Sequence, residues 1–311
     1  MTDAPRHILV VAHARRDDTV AAAHRVLTAL ATAGARPVLA ADDRAELTEA
    51  LGELDGVLTL GRDVAVDDLE LAIVLGGDGT ILRAVDLVRG GTAPVLGINM
   101  GHVGFLAEIE ADDMDDAVHR VIDRDYEVEE RMALSVRVKD ESDAVVYETW
   151  ALNEATVEKA SRERMLEVVL EVDRRPLSAF GCDGVVIATP TGSTAYNFSA
   201  GGPVIWPTVE AVAVVPLSAH ALFARPLVIS PEASVAVEVV AGTNGTGILW
   251  CDGRRSHELP PGARVVVRRS RTPVRLARLH HARFTDRLVR KFQLPVVGWR
   301  GPETPRMGEP R

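Results

Sequence analysis

The sequence predicts an α/β N-terminal domain with a parallel sheet, then an all-β sandwich domain, with a C-terminal helix returning to the first domain. Three observations carry this expectation. Short apolar runs alternate with segments of helical spacing over residues 1–130, as a parallel sheet buried on both faces requires. From Arg131 the texture becomes strict apolar–polar alternation, the mark of strands with one wet face. Helical spacing comes back over Phe284–Phe292.

In chain order, His7–Ala12 (HILVVA) reads as a buried strand and Asp18–Ala33 as a helix, with Gly34 closing it. Leu69–Leu75 (LELAIVL) is the next buried strand, Thr80–Val88 the helix after it, and Pro94–Ile98 a third strand. In the second half Leu134–Val138, Glu167–Val172, Ser234–Val240 and Arg264–Arg268 alternate, separated by turns at Asp173–Pro176, 242–247 and Pro260–Gly262. The expected domains are therefore 1–130, joined by 282–300, and 131–281. The Gly/Pro-rich residues 301–311 read as a frayed tail.

Composition narrows the function. The 311 residues are 47% hydrophobic and carry 35 Lys plus Arg against 45 Asp plus Glu, a net −10. An acidic chain is a poor nonspecific nucleic-acid binder. No apolar run reaches membrane-spanning length. Two widely spaced cysteines, Cys182 and Cys251, suit a reducing cytoplasm and offer no metal framework. Basic residues crowd Arg264–Arg300, which reads either as a polyanion-attracting surface or as a solvated face.

The most informative residues are Gly76, Gly77, Asp78, Gly79 and Thr80, between a buried strand and a helix. Such junctions lie at the carboxyl edge of a parallel sheet, where ligands bind. The glycines let backbone N–H groups approach a phosphate, and the helix N-terminus adds partial positive charge. A carboxylate in a phosphate corner suits proton abstraction or metal binding; alone, a Gly-Asp-Gly is also an ordinary turn or cap. Neither GxxxxGK[ST] nor GxGxxG is present.

A second cluster, Thr189–Tyr196 (TPTGSTAY), follows the apolar run Val185–Ala188 and suggests a polar turn whose Ser or Thr caps a short helix. Asn153-Glu154, placed on a Trp150–Val157 strand, offers amide donors and carboxylate acceptors of the kind a ribose or a base edge needs. Asp183, before Gly184, reads alone as a turn carboxylate. His220 reads as structural, and the His280-His281 pair lacks metal-ligand companions.

Taken in order, GGDGT, GINMGHVGFL (Gly97–Leu106), Asn153-Glu154, Asp183-Gly184 and TPTGSTAYNFSAGGP (189–203) closely resemble the NAD kinase family, in particular an actinobacterial member. The resemblance spans His7 to Trp299. GGDG is shared with lipid kinases and 6-phosphofructokinases; its combination with TPTGSTAY is specific. The resemblance implies ATP-dependent phosphorylation of the adenosine 2′-hydroxyl of NAD⁺ with Mg²⁺ or another divalent ion, NAD lying between two domains, in a homodimer or homotetramer. Some relatives use inorganic polyphosphate as donor.

By position, the resemblance implies Asp78 as proton acceptor beside Gly79, with Gly76, Gly77 and Thr80 at phosphate and Arg83 neutralising it. Phe105 would pack on adenine, and Asn153 and Glu154 would contact the ribose diol and base. Asp183, Thr194, Ala195, Tyr196 and Ser199 would line the dinucleotide pocket. One departure stands out: Gly181 occupies a position that is basic in some relatives, leaving Arg164 or Arg254 as substitutes. The alternative from another class is a non-catalytic NAD(H)/NADP(H)-binding regulator, which would not need Asp78.

Overall fold

The computed structural model describes residues 5–13, 16–101, 104–161, 164–241, 245–279 and 283–296. The chain divides into two compact units. One runs through Val128 and takes the chain up again at Ala277; the other is Glu129–Leu276.

The first unit is a mixed, mostly parallel sheet with helices. Its strands lie in the order Leu58–Thr59, Arg36–Leu39, His7–Ala12, Leu69–Leu75, Val95–Asn99, Val274–Arg278, Glu127–Arg131, and Ile109–Glu110 also pairs with Val95–Asn99. His7–Ala12 and Leu69–Leu75 are side by side and parallel, and nearly every residue in them is buried. That is why they read as continuous apolar runs. Helix Asp17–Thr32 lays Ala22, Ala23, Val26, Leu27 and Leu30 on the core, and helix Asp78–Leu87 buries Ile81, Ala84 and Val85. Fully burying a side chain such as Leu30 or Ile81 contributes about 1.5–3 kcal/mol.

The connections diverge at the two central strands. After Ala12 the chain goes one way, through helix Asp17–Thr32 to Arg36–Leu39. After Leu75 it goes the other way, through helix Asp78–Leu87 to Val95–Asn99. Their carboxyl ends therefore flank a crevice, and Gly76–Thr80 sits at its edge.

The second unit packs two six-stranded antiparallel sheets. One runs Leu227–Ile229, Val212–Leu217, Gly184–Ala188, Glu154–Lys159, Gly247–Cys251, Arg255–Leu259. The other runs Arg175–Cys182, Leu166–Val172, Val235–Val239, Arg264–Arg269, Leu134–Lys139, Val145–Ala151. Val136, Val168, Val237 and Val265 from one meet Val157, Val185, Ile187 and Leu249 from the other in a shared core. Cys182 and Cys251 are buried free thiols in it, and burial pushes both up to about 12.

Three expectations change. The single strand Trp150–Val157 is two, ending at Ala151 and restarting at Glu154, with Leu152-Asn153 as a bend between them. The helix expected over Thr80–Val88 starts at Asp78, inside the glycine turn. Helix Ala41–Leu51 has no counterpart in the sequence reading, because it buries only Asp43 and Leu47 and so shows little apolar periodicity. The predicted helix Phe284–Phe292 is present, and the strands around Leu134, Glu167, Ser234 and Arg264 shift only at their ends.

Candidate active site

In the first unit the site is built on backbone. Gly77 is the N-cap and Asp78 the first residue of helix Asp78–Leu87. A side chain at Gly76 would run into Thr80, its Cβ 2.5 Å from Oγ1, so the turn closes only with glycine there. Asp78 turns its carboxylate toward the Gly104–Leu106 segment. Oδ2 accepts the Phe105 N–H at 3.1 Å and Oδ1 the Leu106 N–H at 3.0 Å. A Cβ on Gly104 would lie 2.8 Å from the Asp78 carboxyl carbon. Two consecutive N–H groups and one missing side chain thus fix where this carboxylate points.

The segment that orients Asp78 is itself anchored by the C-terminal helix. Arg287 donates to the Phe105 carbonyl at 2.8 Å and to Glu108 at 2.6 Å, while Arg278 reaches Glu108 at 2.7 Å. The Glu108 side chain is 1% exposed, so this cluster is a buried three-way ion pair. The Phe105 ring packs against Phe284 and Phe292 of the same helix, centroids 6.0 and 5.7 Å away. Arg83, one turn beyond Asp78, is paired with the buried Asp43 of helix Ala41–Leu51. Burial raises Asp43 above the ordinary carboxylate range, with Arg83 pulling the other way. Among the described residues Asp43 Oδ2 and Arg83 Nη1 are both buried without a hydrogen-bond partner, so the pair holds unmet polarity.

In the second unit the site is built from buried side chains. The bend at Leu152-Asn153 is held by Asp252, which the sequence reading missed. Its carboxylate accepts N–H groups from Leu152 at 2.9 Å, Asn153 at 2.7 Å and Glu154 at 3.3 Å. Arg255 donates to it at 2.7 Å and stacks on Trp150, 4.3 Å from the ring centroid. Asp252 is part of the turn between strands Gly247–Cys251 and Arg255–Leu259, with φ of 53° there and 63° at Gly253. The Asp-Gly pair was a legible hairpin signal; its second task was not.

Glu154 is 93% buried, 7% exposed, beside Asp252. Burial first, then the Asp252 charge, pushes its carboxyl up to about 8, opposed by a hydrogen bond from the Tyr196 backbone. Glu154 Oε2 has no partner. The carboxylate acceptor expected here is thus mostly a protonated acid at neutral pH.

The Thr189–Tyr196 segment packs directly on this bend. The Asn153 carbonyl accepts the Thr189 N–H at 2.9 Å, and the Thr189 hydroxyl donates to the Leu152 carbonyl at 2.6 Å. A Cβ at Gly192 would overlap the Asn153 carbonyl. The expected helix cap is absent: neither Gly192–Thr194 nor Tyr196–Ser199 has a side-chain cap. Instead the Ser193 hydroxyl donates to the Pro190 carbonyl and accepts the Ile205 N–H, and Thr194 donates to Thr191. These hydroxyls fold the turn. Thr194 and Ala195 are half-buried, while Tyr196 and Ser199 are exposed.

Asp183 is ion-paired with Lys159 at 2.5 Å, and that hydrogen bond holds its carboxyl below the usual range. Met165 fills the space beside Gly181, its methyl carbon 3.1 Å from where a Cβ would stand. His220 joins Gly181 through its backbone N–H at 2.9 Å. Arg164 and Arg254 are exposed. His280 and His281 lie outside the described residues, as do His102 and Val103 of the Gly97–Leu106 motif. Among the described residues no three His, Cys, Asp or Glu side chains gather as a metal cage, and no helix is long and apolar enough to cross a membrane.

A glycine turn at a switch point with an oriented carboxylate, joined in one chain to a β-sandwich, defines a phosphotransferase of the GGDG class. The family models agree: residues 8–126 match the ATP-NAD kinase N-terminal domain and 152–279 the ATP-NAD kinase C-terminal domain. The chain belongs to the NAD kinase family. It is 65% identical to an NAD kinase of Leifsonia xyli, over 96% of this chain and 98% of that protein. It is 57% identical to NAD kinase 2 of Streptomyces coelicolor, over 95% and 97%. Its fold matches yeast NADH kinase complexed with NADH at TM-score 0.86 and 21% identity, covering 97% and 91%. An Archaeoglobus fulgidus NAD kinase in complex with ATP matches at 0.68 and 24%, covering 93% and 98%.

Proposed function

We propose that Asp78 and the Asn153–Glu154 bend carry out the family's reaction in this chain, the ATP-dependent phosphorylation of NAD⁺ to NADP⁺. The observation that carries this reading is the Asp78 carboxylate, aimed by two consecutive N–H groups at the switch-point turn. A ribose 2′-hydroxyl is a poor nucleophile at neutral pH, so it needs a fixed base and an in-line donor. Asp78 takes the hydroxyl proton as the oxygen attacks the γ-phosphorus of ATP, and ADP leaves. Gly77, Gly79 and the helix N-terminus receive donor phosphates through backbone N–H groups, with Thr80 beside them; the expected Gly76 contact is lost, because its N–H is given to the Ile98 carbonyl at 3.0 Å.

In the second unit, Asn153, Glu154, Thr194, Ala195, Tyr196, Ser199 and Asp183 supply dinucleotide contacts, and Arg164 or Arg254 a phosphate contact. Phe105 keeps an aromatic surface for a base, although Phe284 and Phe292 already take part of it. Arg83, committed to Asp43, reaches phosphate only through its unsatisfied Nη1. A divalent cation, Mg²⁺ by its affinity for phosphate oxygens, would arrive with the donor; it fits as an ion held mainly by phosphates with Asp78 nearby, and supplies charge neutralisation there.

A homodimer or homotetramer in the cytoplasm is the expected setting, with neither nucleic acid nor membrane as partner. Inorganic polyphosphate as an alternative donor rests on the glycine turn alone. Within Arg264–Lys291, Arg264, Arg269, Arg275, Arg278 and Arg287 are all engaged with carboxylates.

The test is NADP⁺ formation from NAD⁺ and ATP, read with an NADP-specific dehydrogenase, in parallel with nucleotide-free polyphosphate. No product with either donor overturns the kinase reading and leaves the regulator. Product with ATP only removes polyphosphate.

A further inference from the structure

We infer that Asp252 is the positioning residue of the Asn153–Glu154 bend, and that as a fixed negative charge facing Glu154 it makes Glu154 offer an O–H to the bound dinucleotide. The inference rests on the reading of this bend as the NAD⁺ site.

Two carboxyl groups are buried here, one on a hairpin turn and one at the start of the strand beside it, and only one of them is supplied for carrying charge. Asp252 receives three backbone N–H groups and the Arg255 guanidinium. Burial raises the Asp252 carboxyl as well, but these four donors, which Glu154 lacks, oppose that and hold the charge here rather than on Glu154. Among the described residues Glu154 receives only the Tyr196 N–H, and its Oε2 is buried with no partner. A second charge beside the first would have almost nothing to hold it, so the proton stays on Glu154. The bend and the hairpin are also tied in the other direction, the Asp252 N–H donating to the Glu154 carbonyl at 3.0 Å.

The other titratable groups acting on Glu154 reinforce this. Glu158, on the same strand, adds repulsion. The Cys251 thiol, pushed up to about 12, and the Tyr196 phenol, raised by burial, stay neutral across the working range. Arg255 gives its Nη2 to Asp252 and lies over the Trp150 ring, and it is not among the charges that act on Glu154. An orphaned, protonated carboxyl donates one hydrogen bond and accepts others. It therefore selects a ligand group that has an acceptor, such as a carboxamide oxygen, a ring nitrogen or a ribose oxygen, and disfavours a phosphate dianion. The geometry assigns the anionic duties to the first unit and a neutral, donor-bearing contact to the second.

The experiment titrates Glu154 by ¹³C NMR of carboxyl-labelled protein, without ligand, in the wild type and in Asp252→Asn. Asparagine tolerates the φ of 53° at this position, so the hairpin is retained. Removing the charge should move the Glu154 titration down by about one pH unit or more. An unmoved titration, or a wild-type midpoint in the ordinary carboxylate range, overturns the inference. A second measurement needs no change at Asp252. NAD⁺ affinity of the wild type should fall up to about tenfold per pH unit above the Glu154 midpoint, and Glu154→Gln should lose that limb. The same limb in both proteins overturns the donor role. A displaced titration with NAD⁺ affinity indifferent to Glu154→Gln keeps Asp252 as the positioning residue and overturns the bend as the dinucleotide site.

Discussion

The two candidate clusters, one in each unit, are built by opposite means. At Asp78 the protein works with backbone: glycines, a helix N-terminus and the two N–H groups of Phe105 and Leu106. At Glu154 it works with burial: two carboxyls withdrawn from water, one satisfied by four donors and the other left short. The first arrangement keeps a carboxylate aimed, as a base needs to be. The second keeps a carboxyl neutral, as a hydrogen-bond donor needs to be. Placement of donors, not residue type, separates the two roles.

The sharpest break of this comparison is Asp78→Asn. The amide keeps size and some hydrogen bonds but cannot take a proton. Turnover should fall by about 10²–10⁴, with NAD⁺ affinity within a few-fold. Near-normal kcat in a clean preparation would remove Asp78 from the chemistry and with it the contrast.

Next is Gly104→Ala, which removes no catalytic group. Its Cβ would stand 2.8 Å from the Asp78 carboxyl carbon, so the carboxylate must swing away from the Phe105 and Leu106 N–H groups. A displacement of that kind costs on the order of 10²-fold in kcat, while circular dichroism and Tm stay near wild type. Unchanged kcat would mean that the aim of Asp78 is not set by this segment.

These two experiments also mark where the sequence was legible. The Asp78 turn is contiguous: strand, glycines, carboxylate and helix follow one another, so spacing alone exposes it. The bend at Leu152-Asn153 is not. Its anchor, Asp252, is 98 residues from Glu154, and a carboxylate that accepts three N–H groups across two strands leaves no local pattern. The same reason hid the Asp43–Arg83 pair, whose acidic member sits in a helix with almost no apolar stripe. The cap expected in Thr189–Tyr196 failed differently. The sequence offers these hydroxyls as cap and ligand groups, but that of Thr189 is consumed by the bend and those of Ser193 and Thr194 by their own turn. Sheet type and layer identity were legible because the apolar runs and the alternation are local properties of each strand; the order of the strands in the sheets was not.

Glu154→Gln sharpens the buried half through stability. An acid whose carboxyl sits at about 8 when folded and near 4.5 when unfolded binds more protons in the native state between those values. Its stabilising contribution is complete below 4.5 and is lost as pH rises toward 8, by at most about 1.4 kcal/mol per pH unit. Denaturant unfolding of the ligand-free protein should therefore show a falling limb that Glu154→Gln flattens. Identical slopes in the two proteins would show that Glu154 ionises as it does in the unfolded chain.

The smallest effect is expected at Arg269, which lies in neither half. Its guanidinium meets Glu210 at 2.6 Å and Glu232 at 3.4 Å, with all three side chains more than a third exposed. Exposed pairs of this kind are worth about 0–1 kcal/mol, so Arg269→Ala should shift Tm by only a few degrees. More tellingly, it should leave the KM for the phosphoryl donor and its salt dependence unchanged. Were the Arg264–Lys291 stretch a funnel for polyanions, loss of one of its cations would raise the donor KM most at low ionic strength, where the field reaches farthest. A donor KM that rises at low salt in Arg269→Ala would restore that stretch as part of the donor site. An unmoved KM leaves phosphate recognition to the backbone of Gly76–Thr80, and with it the division of labour between an anion-receiving turn and a neutral, buried bend.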